Sequence, residues 1–397
     1  MDVELTIRRL GRQGEGVASH DGRTVYVPHA LPGEVVLADL QTDRGTVKKI
    51  LQASECRVTP FCRHFGHCGG CAVQHLAVAD YRRWKQGLVT GALRHAGIDV
   101  ECRELLDAVG AGRRRATLHA RAEGAGFNAA RSHKVHPLDG CPILEPGLGH
   151  APAVASTVHG AVGDSDVTFT MTHGGIDCAV KAQKHARAER LLPLAEHFGL
   201  ARIALNGEVL LTRNAPELQL GRSRVVLPPG SFLQATARGE ELLAEQVIEA
   251  VGPARHIADL FCGVGPFALR LAERAKIHAF DSDSAAIAAI REAVRKTQGI
   301  RPVTAEVRDL FREPLTAAEG NAFDAVVLDP PRAGAEAQMR NLAKSRVRTI
   351  ASVSCDPATF ARDAAILIAG GYRLERVTPL DQFAWSPHVE MVGVFRR

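Results

Sequence analysis

Apolar and polar residues alternate with period two in short runs over residues 1–54 and, more loosely, over residues 105–227. Beyond residue 233 the pattern changes to short apolar runs separated by segments that are apolar at helical spacing. In the first stretch, Val3-Glu4-Leu5-Thr6-Ile7 and Arg23-Thr24-Val25-Tyr26-Val27 alternate as strands do, and so do shorter runs at 35–37 and 45–50. Gly14-Glu15-Gly16, Asp21-Gly22 and Pro32-Gly33 punctuate them, and five short strands of this kind predict a small barrel. Residues 81–96 read as an amphipathic helix with Trp84, Leu88 and Leu93 on one face, whereas 147–162 is rich in Ala, Gly and Pro and gives no signal. In the last stretch, helices at 240–251 and 284–296 alternate with strands at 256–261, 277–280, 303–307, 323–328, 347–353, 372–377 and 389–395. That order predicts an α/β domain built on a doubly wound, largely parallel seven-stranded sheet. The expected domains are 1–54, a small β-barrel; 55–228, a β-rich central unit; and 229–397, the α/β domain.

The length of 397 residues agrees with two or three domains, and 46% hydrophobic with 23% charged residues is a globular composition. No run of about 18 apolar residues exists and the first residues lack a signal-peptide core, so a cytoplasmic protein without a membrane span is expected. A formal charge of +5 permits a polyanionic partner. Arg8, Arg9, Arg12, Arg44, Lys48 and Lys49 on the barrel are candidate phosphate contacts, and so is the run Arg113-Arg114-Arg115, with a solvated basic face as the plainer alternative. Aromatic content of 5% argues against a broad base-stacking platform.

Nine cysteines in such a chain read as ligands, nucleophiles or packing rather than as a disulfide framework. Cys62, Cys68 and Cys71 are closely spaced, with two glycines that let the backbone wrap, and Cys141 is the best distant fourth thiol. Spacing leaves zinc and an iron–sulfur cluster both open, with His64 and His67 as competing zinc ligands. Gly263-x-Gly265-x-x-Ala268, followed by Asp281, fits either a dinucleotide or S-adenosylmethionine. Asp259 would oppose a pyrophosphate but suits a cationic methyl donor, Asp281 suits ribose hydroxyls, and Asp309 is placed to read an adenine amino group. Asp329-Pro330-Pro331-Arg332 is a proline-stiffened loop able to hold a planar base. Cys355 sits where a strand gives way to a helix opened by Pro357, a turn that favours the thiolate, although cysteine often only packs. Glu390 lies in an apolar run where burial would raise its pKa and suit it to take a proton; the alternative is a solvent-facing edge position.

Together these residues resemble the 5-methyluridine RNA methyltransferases, the uracil-C5 family with tRNA and ribosomal RNA members, over nearly the whole chain. Gly14-Glu15-Gly16-Val17-Ala18 and Leu31-Pro32-Gly33-Glu34 match the turns of a TRAM domain, and Phe232-Leu233-Gln234 resembles the family's donor-binding Phe-x-Gln. Asp259-Leu260-Phe261-Cys262-Gly263-Val264-Gly265 and Asp329-Pro330-Pro331-Arg332 match its cofactor and target-base motifs. Ser354-Cys355-Asp356-Pro357 with Arg362-Asp363 matches the nucleophile motif, and Val389-Glu390 the general-base motif. The family more often has Asn at the Asp356 position, and residues 294–299 lack the two asparagines of its Asn-Ala-x-x-Asn-Gly pattern.

The resemblance implies a [4Fe-4S] cluster on Cys62, Cys68, Cys71 and Cys141, and S-adenosylmethionine as methyl donor. It also implies that Cys355 adds to C6 of a flipped or loop uridine, that C5 takes the methyl group, and that Glu390 removes the C5 proton while Asp329 holds the base edge. The partner is RNA, with 23S rRNA favoured over tRNA because members with both a TRAM-like module and a cluster lean that way, and a monomer is expected. The competing readings are a tRNA T-loop substrate, a cytosine-C5 enzyme, and a non-catalytic RNA-binding iron–sulfur protein. Cytosine-C5 enzymes commonly have Pro before the cysteine, unlike Cys355, and the intact set Gln234, Asp281, Asp329, Cys355 and Glu390 argues against decay.

Overall fold

The computed structural model describes residues 1–183 and 186–397. The first apolar run forms the strand Asp2–Thr6, antiparallel to Val35–Gln41, while a further short strand, Arg9–Leu10, pairs with Gly16–His20, where a turn was expected through Ala18. A single chain segment therefore bonds to both ends of a six-stranded sheet, with Arg44–Gln52 and Arg23–Val27 between them, and closes it as a barrel. Val3, Leu5, Ile7, Val25, Val27 and Val36 fill it, as the period-two pattern requires. Arg8, Arg9, Arg12, Arg44, Lys48 and Lys49 are all exposed on this barrel, with Lys48 paired to Asp2 at 2.6 Å. Glu34 is fully buried in the fork of Arg57 (2.6 and 2.9 Å), which fastens the barrel to the cysteine-bearing segment that follows.

Helix α1 (Val78–His95) buries Tyr81, Lys85, Val89 and Leu93, while Trp84 and Leu88 flank that stripe half-buried. The expected apolar face is thus rotated, because a lysine sits at the centre of the buried one; its charge is met by Asp381, far along the chain. The short strands Glu101–Cys102 and Leu106–Asp107 then join the C-terminal sheet, so 78–107 packs with the α/β domain rather than with the central unit. The central unit is a seven-stranded sheet spanning residues 115–212, covered on one face by the helix Ala151–Val162. That helix fell where the sequence was silent. Small residues form it, with Pro152 in its first turn where the missing N–H costs nothing.

In the C-terminal domain, β1 (His256–Leu260), β2 (Lys276–Asp281), β3 (Val303–Val307), β4 (Ala325–Leu328) and β5 (Thr349–Ser354) are parallel. β6 (Arg373–Asp381) and β7 (Glu390–Arg396) complete the order β3-β2-β1-β4-β5-β7-β6, with β7 antiparallel to both neighbours. The expected seven strands are therefore present, and the pieces from 101–107 extend the β6 edge to make nine. Helices α2 (Ala237–Val251), α3 (Ser284–Lys296) and α4 (Pro357–Ala369) pack on the sheet. The connections reverse direction between β1 and β4, and such a reversal opens a crevice at the carboxyl ends of the strands. Among the described residues no helix is long and apolar enough to cross a membrane.

Gly393 lets β7 lie flat under α4, because a Cβ there would come within 2.5 Å of the Phe360 ring. Gly393→Ala is expected to lower stability by about 1–3 kcal/mol through overpacking. Chemical denaturation measures this, and an unchanged midpoint would show that α4 yields without cost.

Candidate active site

A cleft of about 530 Å³ opens at the carboxyl ends of β1, β2, β4 and β5. Its floor near β1 is a tight turn in which Phe261, Gly263 and Gly265 have φ of 60°, 51° and 86°. Gly265 is needed twice over, since a Cβ there would also press on Ile290 of α3 and on Leu269, both at 3.2 Å. Asp281 braces the turn: one oxygen accepts the Gly263 N–H and the other the Asp283 N–H, both at 2.8 Å. Each oxygen keeps a second lone pair for a ligand. Asp309 accepts the N–H groups of Phe311 (3.0 Å) and Arg312 (3.3 Å), which places Phe311 5.4 Å from Phe261. The two rings form an apolar wall beside two acids, a slot suited to a planar base attached to a ribose.

Asp259 does not line this cleft. It is completely buried beneath the turn, where one oxygen accepts the Ala268 N–H at 2.8 Å and the other has no partner. Burial, then the nearby Asp329 and Asp281, pushes its pKa upward against the Ala268 hydrogen bond, and Asp259 braces the loop from beneath rather than lining the cleft.

On the other side of the cleft stand Gln234, Asp329, Cys355 and Glu390. Asp329 follows the last residue of β4, Cys355 follows β5, and Glu390 opens β7; the pairing of Ser354 with Met391 sets Cys355 next to Glu390. Gln234 donates from Nε2 to Asp329 Oδ2 at 2.8 Å. Burial pushes Asp329 up to about 7 against that hydrogen bond. Burial, then Asp329, pushes Glu390 up to about 8, with Gln382, Arg332 and Lys85 pulling the other way. The Cys355 thiol rises to about 12 through burial and then the two carboxylates, opposed by Arg332. The three groups therefore compete to stay protonated, and a cation bound among them would favour the deprotonated form of each. Cys355 also precedes α4, whose N-cap Asp356 accepts the Ala358 and Thr359 N–H groups at 2.9 and 3.0 Å. The N-terminal end of that helix adds a further pull toward the thiolate.

Other domains hold this site in shape. The arginine run does not face a phosphate backbone. Arg114 is buried on Glu240 at 2.6 Å, Arg115 holds the carbonyls of Gly230 and Ser231, and Arg113 lies 5.2 Å over the Phe383 ring. Arg114 also holds the Gln234 carbonyl at 3.2 Å, so the run anchors the Phe-x-Gln segment. Lys85, with no exposed surface, pairs with Asp381 at 2.8 Å and donates to the carbonyls of Phe383 and His388, fixing the loop that leads into Glu390. Arg12 of the barrel reaches Asp356 at 3.5 Å, so the barrel borders the cleft.

Cys62, Cys68, Cys71 and Cys141 all line a second, small cavity of about 30 Å³, with Arg113 in its wall. Gly69 allows the approach, since a Cβ there would lie 2.8 Å from the Asn128 carbonyl. Burial raises Cys68, Cys71 and Cys141, Cys71 to about 12, and neighbouring thiols add to each. Even so, no three His, Cys, Asp or Glu among the described residues are grouped to hold a metal ion. His64 is engaged with Asp139 (2.8 Å) and His136 (3.1 Å), and His67 stacks on His136. Sequence reading missed Lys85, Gln382 and Phe311, which belong to no local pattern, and met Phe261 only as part of the cofactor motif.

Residues 222–397 match the family model described as tRNA (Uracil-5-)-methyltransferase, and residues 2–45 match the TRAM domain. An uncharacterized RNA methyltransferase of Brucella suis is 44% identical over 99% of this chain and 98% of its own. A 23S rRNA (uracil(1939)-C(5))-methyltransferase of Halomonas elongata is 34% identical over 98% of this chain and 88% of its own. In fold the chain is similar to the Pyrococcus abyssi tRNA (uracil-54, C5)-methyltransferase solved with S-adenosyl-L-homocysteine (TM-score 0.77, 24% identity, 100% of both chains). With these matches added to the cleft, the chain belongs to the TRAM-containing RNA uracil-C5 methyltransferase family and is an S-adenosylmethionine-dependent enzyme of that class.

Proposed function

We propose that the enzyme methylates C5 of a uridine in 23S rRNA through a covalent intermediate on Cys355. The observation that carries this reading is the meeting of Cys355, Glu390 and Asp329 at the ends of three neighbouring strands in one cleft. S-adenosylmethionine supplies an electrophilic methyl group on a cationic sulfur. Uracil C5 is a poor nucleophile until the Cys355 sulfur bonds to C6 and the C5–C6 π electrons move onto C5 and O4. Once C5 has taken the methyl group and the S–CH3 electrons have left on S-adenosylhomocysteine, Glu390 removes the C5 proton. The C–H electrons restore the C5–C6 double bond and the Cys355–C6 bond breaks. A carboxylate raised to about 8 is a stronger base than an ordinary one, which suits it to a carbon acid. Asp329, stiffened by Pro330-Pro331, would hold the base edge, and the base must leave its stack to reach Cys355. Asp281, Asp309, Gly263 and Gln234 line the cleft and would hold the donor, with Gly265 shaping the turn beneath it. The Halomonas relative, aligned over nearly all of this chain, favours ribosomal RNA; a tRNA uridine is the second reading.

We also propose that Cys62, Cys68, Cys71 and Cys141 hold a [4Fe-4S] cluster with a structural role, since the methyl transfer needs no electron. Four thiols around one cavity suit it. A lone zinc would need four sulfurs at about 2.3 Å from one point, which a cluster several ångström across does not ask. The charge of Arg113 opposes the rise of Cys71 and Cys141 and so favours their thiolates.

Cys355→Ala is expected to reduce turnover by on the order of 10⁴-fold and to remove the covalent adduct with 5-fluorouridine RNA; a persisting adduct excludes the residue. Glu390→Gln should slow release by about 10²-fold or more and accumulate the protein–RNA adduct, and ordinary turnover would remove it as the base. Because Glu390 must be ionised to accept the proton, turnover limited by that step should rise from pH 7 through about 8. Anaerobically purified protein should carry about four iron and four sulfide per chain, and one zinc instead would overturn the cluster. Labelled methyl transfer to unmodified 23S rRNA and tRNA, with nucleoside mapping, decides the substrate: 5-methyluridine in tRNA alone would replace rRNA.

A further inference from the structure

Gln382 lies in no functional motif and is 1% exposed, yet its amide nitrogen touches two residues of the active site at once. One Nε2 atom donates to Gln234 Oε1 at 2.6 Å and to Glu390 Oε1 at 3.1 Å. Gln234 in turn donates to Asp329 Oδ2 at 2.8 Å. The two carboxylates are thereby joined by a buried chain of two amides, Glu390–Gln382–Gln234–Asp329. We infer that Gln382 is a positioning residue of the methylation reaction, acting through Glu390 and Gln234 together. The inference rests on the methyl-transfer reading above.

The orientation of the amide is dictated by its surroundings. An amide nitrogen has two hydrogens, and both are used here on oxygen acceptors. Turning the amide over would aim Oε1 at the Gln234 oxygen and at the Glu390 carboxylate, two repulsive contacts. Oε1 is left buried without a partner instead. Gly239, in the first turn of α2, makes room for it, since a Cβ there would come within 2.6 Å. A satisfied nitrogen bought with an orphaned oxygen is the arrangement expected where orientation matters more than local stability.

For Glu390 the consequence is geometric first. With Oε1 held by Gln382, the buried and unpartnered Oε2 is the oxygen left to take a proton. The charged or titratable groups facing Glu390 are Asp329 after β4, Cys355 after β5, Arg332 in the Pro-Pro loop and Lys85 on α1. Gln382 adds a neutral donor that cannot itself accept the proton in the orientation held. Its hydrogen bond favours the ionised carboxylate against burial and Asp329.

Gln382→Met keeps the length and removes the donor. Purified enzyme with unmodified rRNA and labelled donor should show kcat lowered about tenfold, with KM for the donor changed less. The acid limb of kcat against pH should move up by about one unit, because loss of a bond to the ionised form raises the Glu390 pKa. The covalent protein–RNA species should accumulate at steady state, since addition by Cys355 is intact and proton removal is slowed. Gly239→Ala, whose Cβ would press on Oε1 at 2.6 Å and on the Thr236 hydroxyl at 2.8 Å while leaving the amide chemistry alone, should move the limb in the same direction and serves if Gln382→Met fails to fold. A pH limb and adduct level equal to wild type in a folded variant overturns the inference. If wild type itself makes neither 5-methyluridine nor adduct, the methylation reading fails instead.

Discussion

Burial raises the proton affinity of two carboxylates and a thiol in one cleft, Asp329 adds to that of Glu390 and both carboxylates to that of Cys355, and much of the surrounding structure answers that tension. A buried acid costs free energy unless it is neutral, paired or hydrogen-bonded. Asp329 leans on Gln234, Glu390 on Gln382, and the charges of Arg332 and Lys85 oppose the rise of Glu390. Asp259, beneath them, is completely buried with the Ala268 N–H on one oxygen, and burial pushes its pKa upward. In the mechanism proposed above, the same burial would make Glu390 a stronger base than an ordinary carboxylate.

The cleft is built by more than the sheet that carries it. Lys85 comes from a helix far upstream in sequence that packs on the C-terminal sheet, Arg114 and Arg115 from the central unit, and Arg12 from the barrel. Trp385, at φ 62°, accepts the N–H groups of Ala72 and Val73, the residues directly after Cys71. The loop leading to Glu390 is thus tied to the cysteine segment as well as to Lys85. A surface barrel that borders the cleft can grip RNA while the target base enters, since phosphate contacts position and do not choose.

The local patterns of the chain determined a good deal. Period-two alternation was sufficient for the barrel, and alternating strand and helix for the sheet, because both periodicities follow from backbone geometry. Cys355, Glu390, Asp329, Asp281, Asp309 and Gly263 were visible at strand ends, in an apolar run or in a turn, Gln234 only through the resemblance, and these residues line one cleft. The four cysteines likewise meet at one cavity.

What the tertiary structure alone decided is which polar residues face inward and toward whom. Three arginines in a row look like a phosphate grip, and become anchors only because Glu240, Phe383 and two carbonyls lie opposite them. Lys85 breaks the apolar face of its helix on paper, yet it belongs in the core once Asp381 is brought beside it; Tyr81 of the same stripe bonds Asp381 from 300 residues away. Asp259 looked like its neighbours at strand ends and was turned under the loop by the Ala268 N–H. Gln382 had no signature at all. Hydrophobic periodicity reports whether a side chain is buried against something apolar, whereas a buried charge or amide is explained only by its partner, and that partner lies where the fold places it.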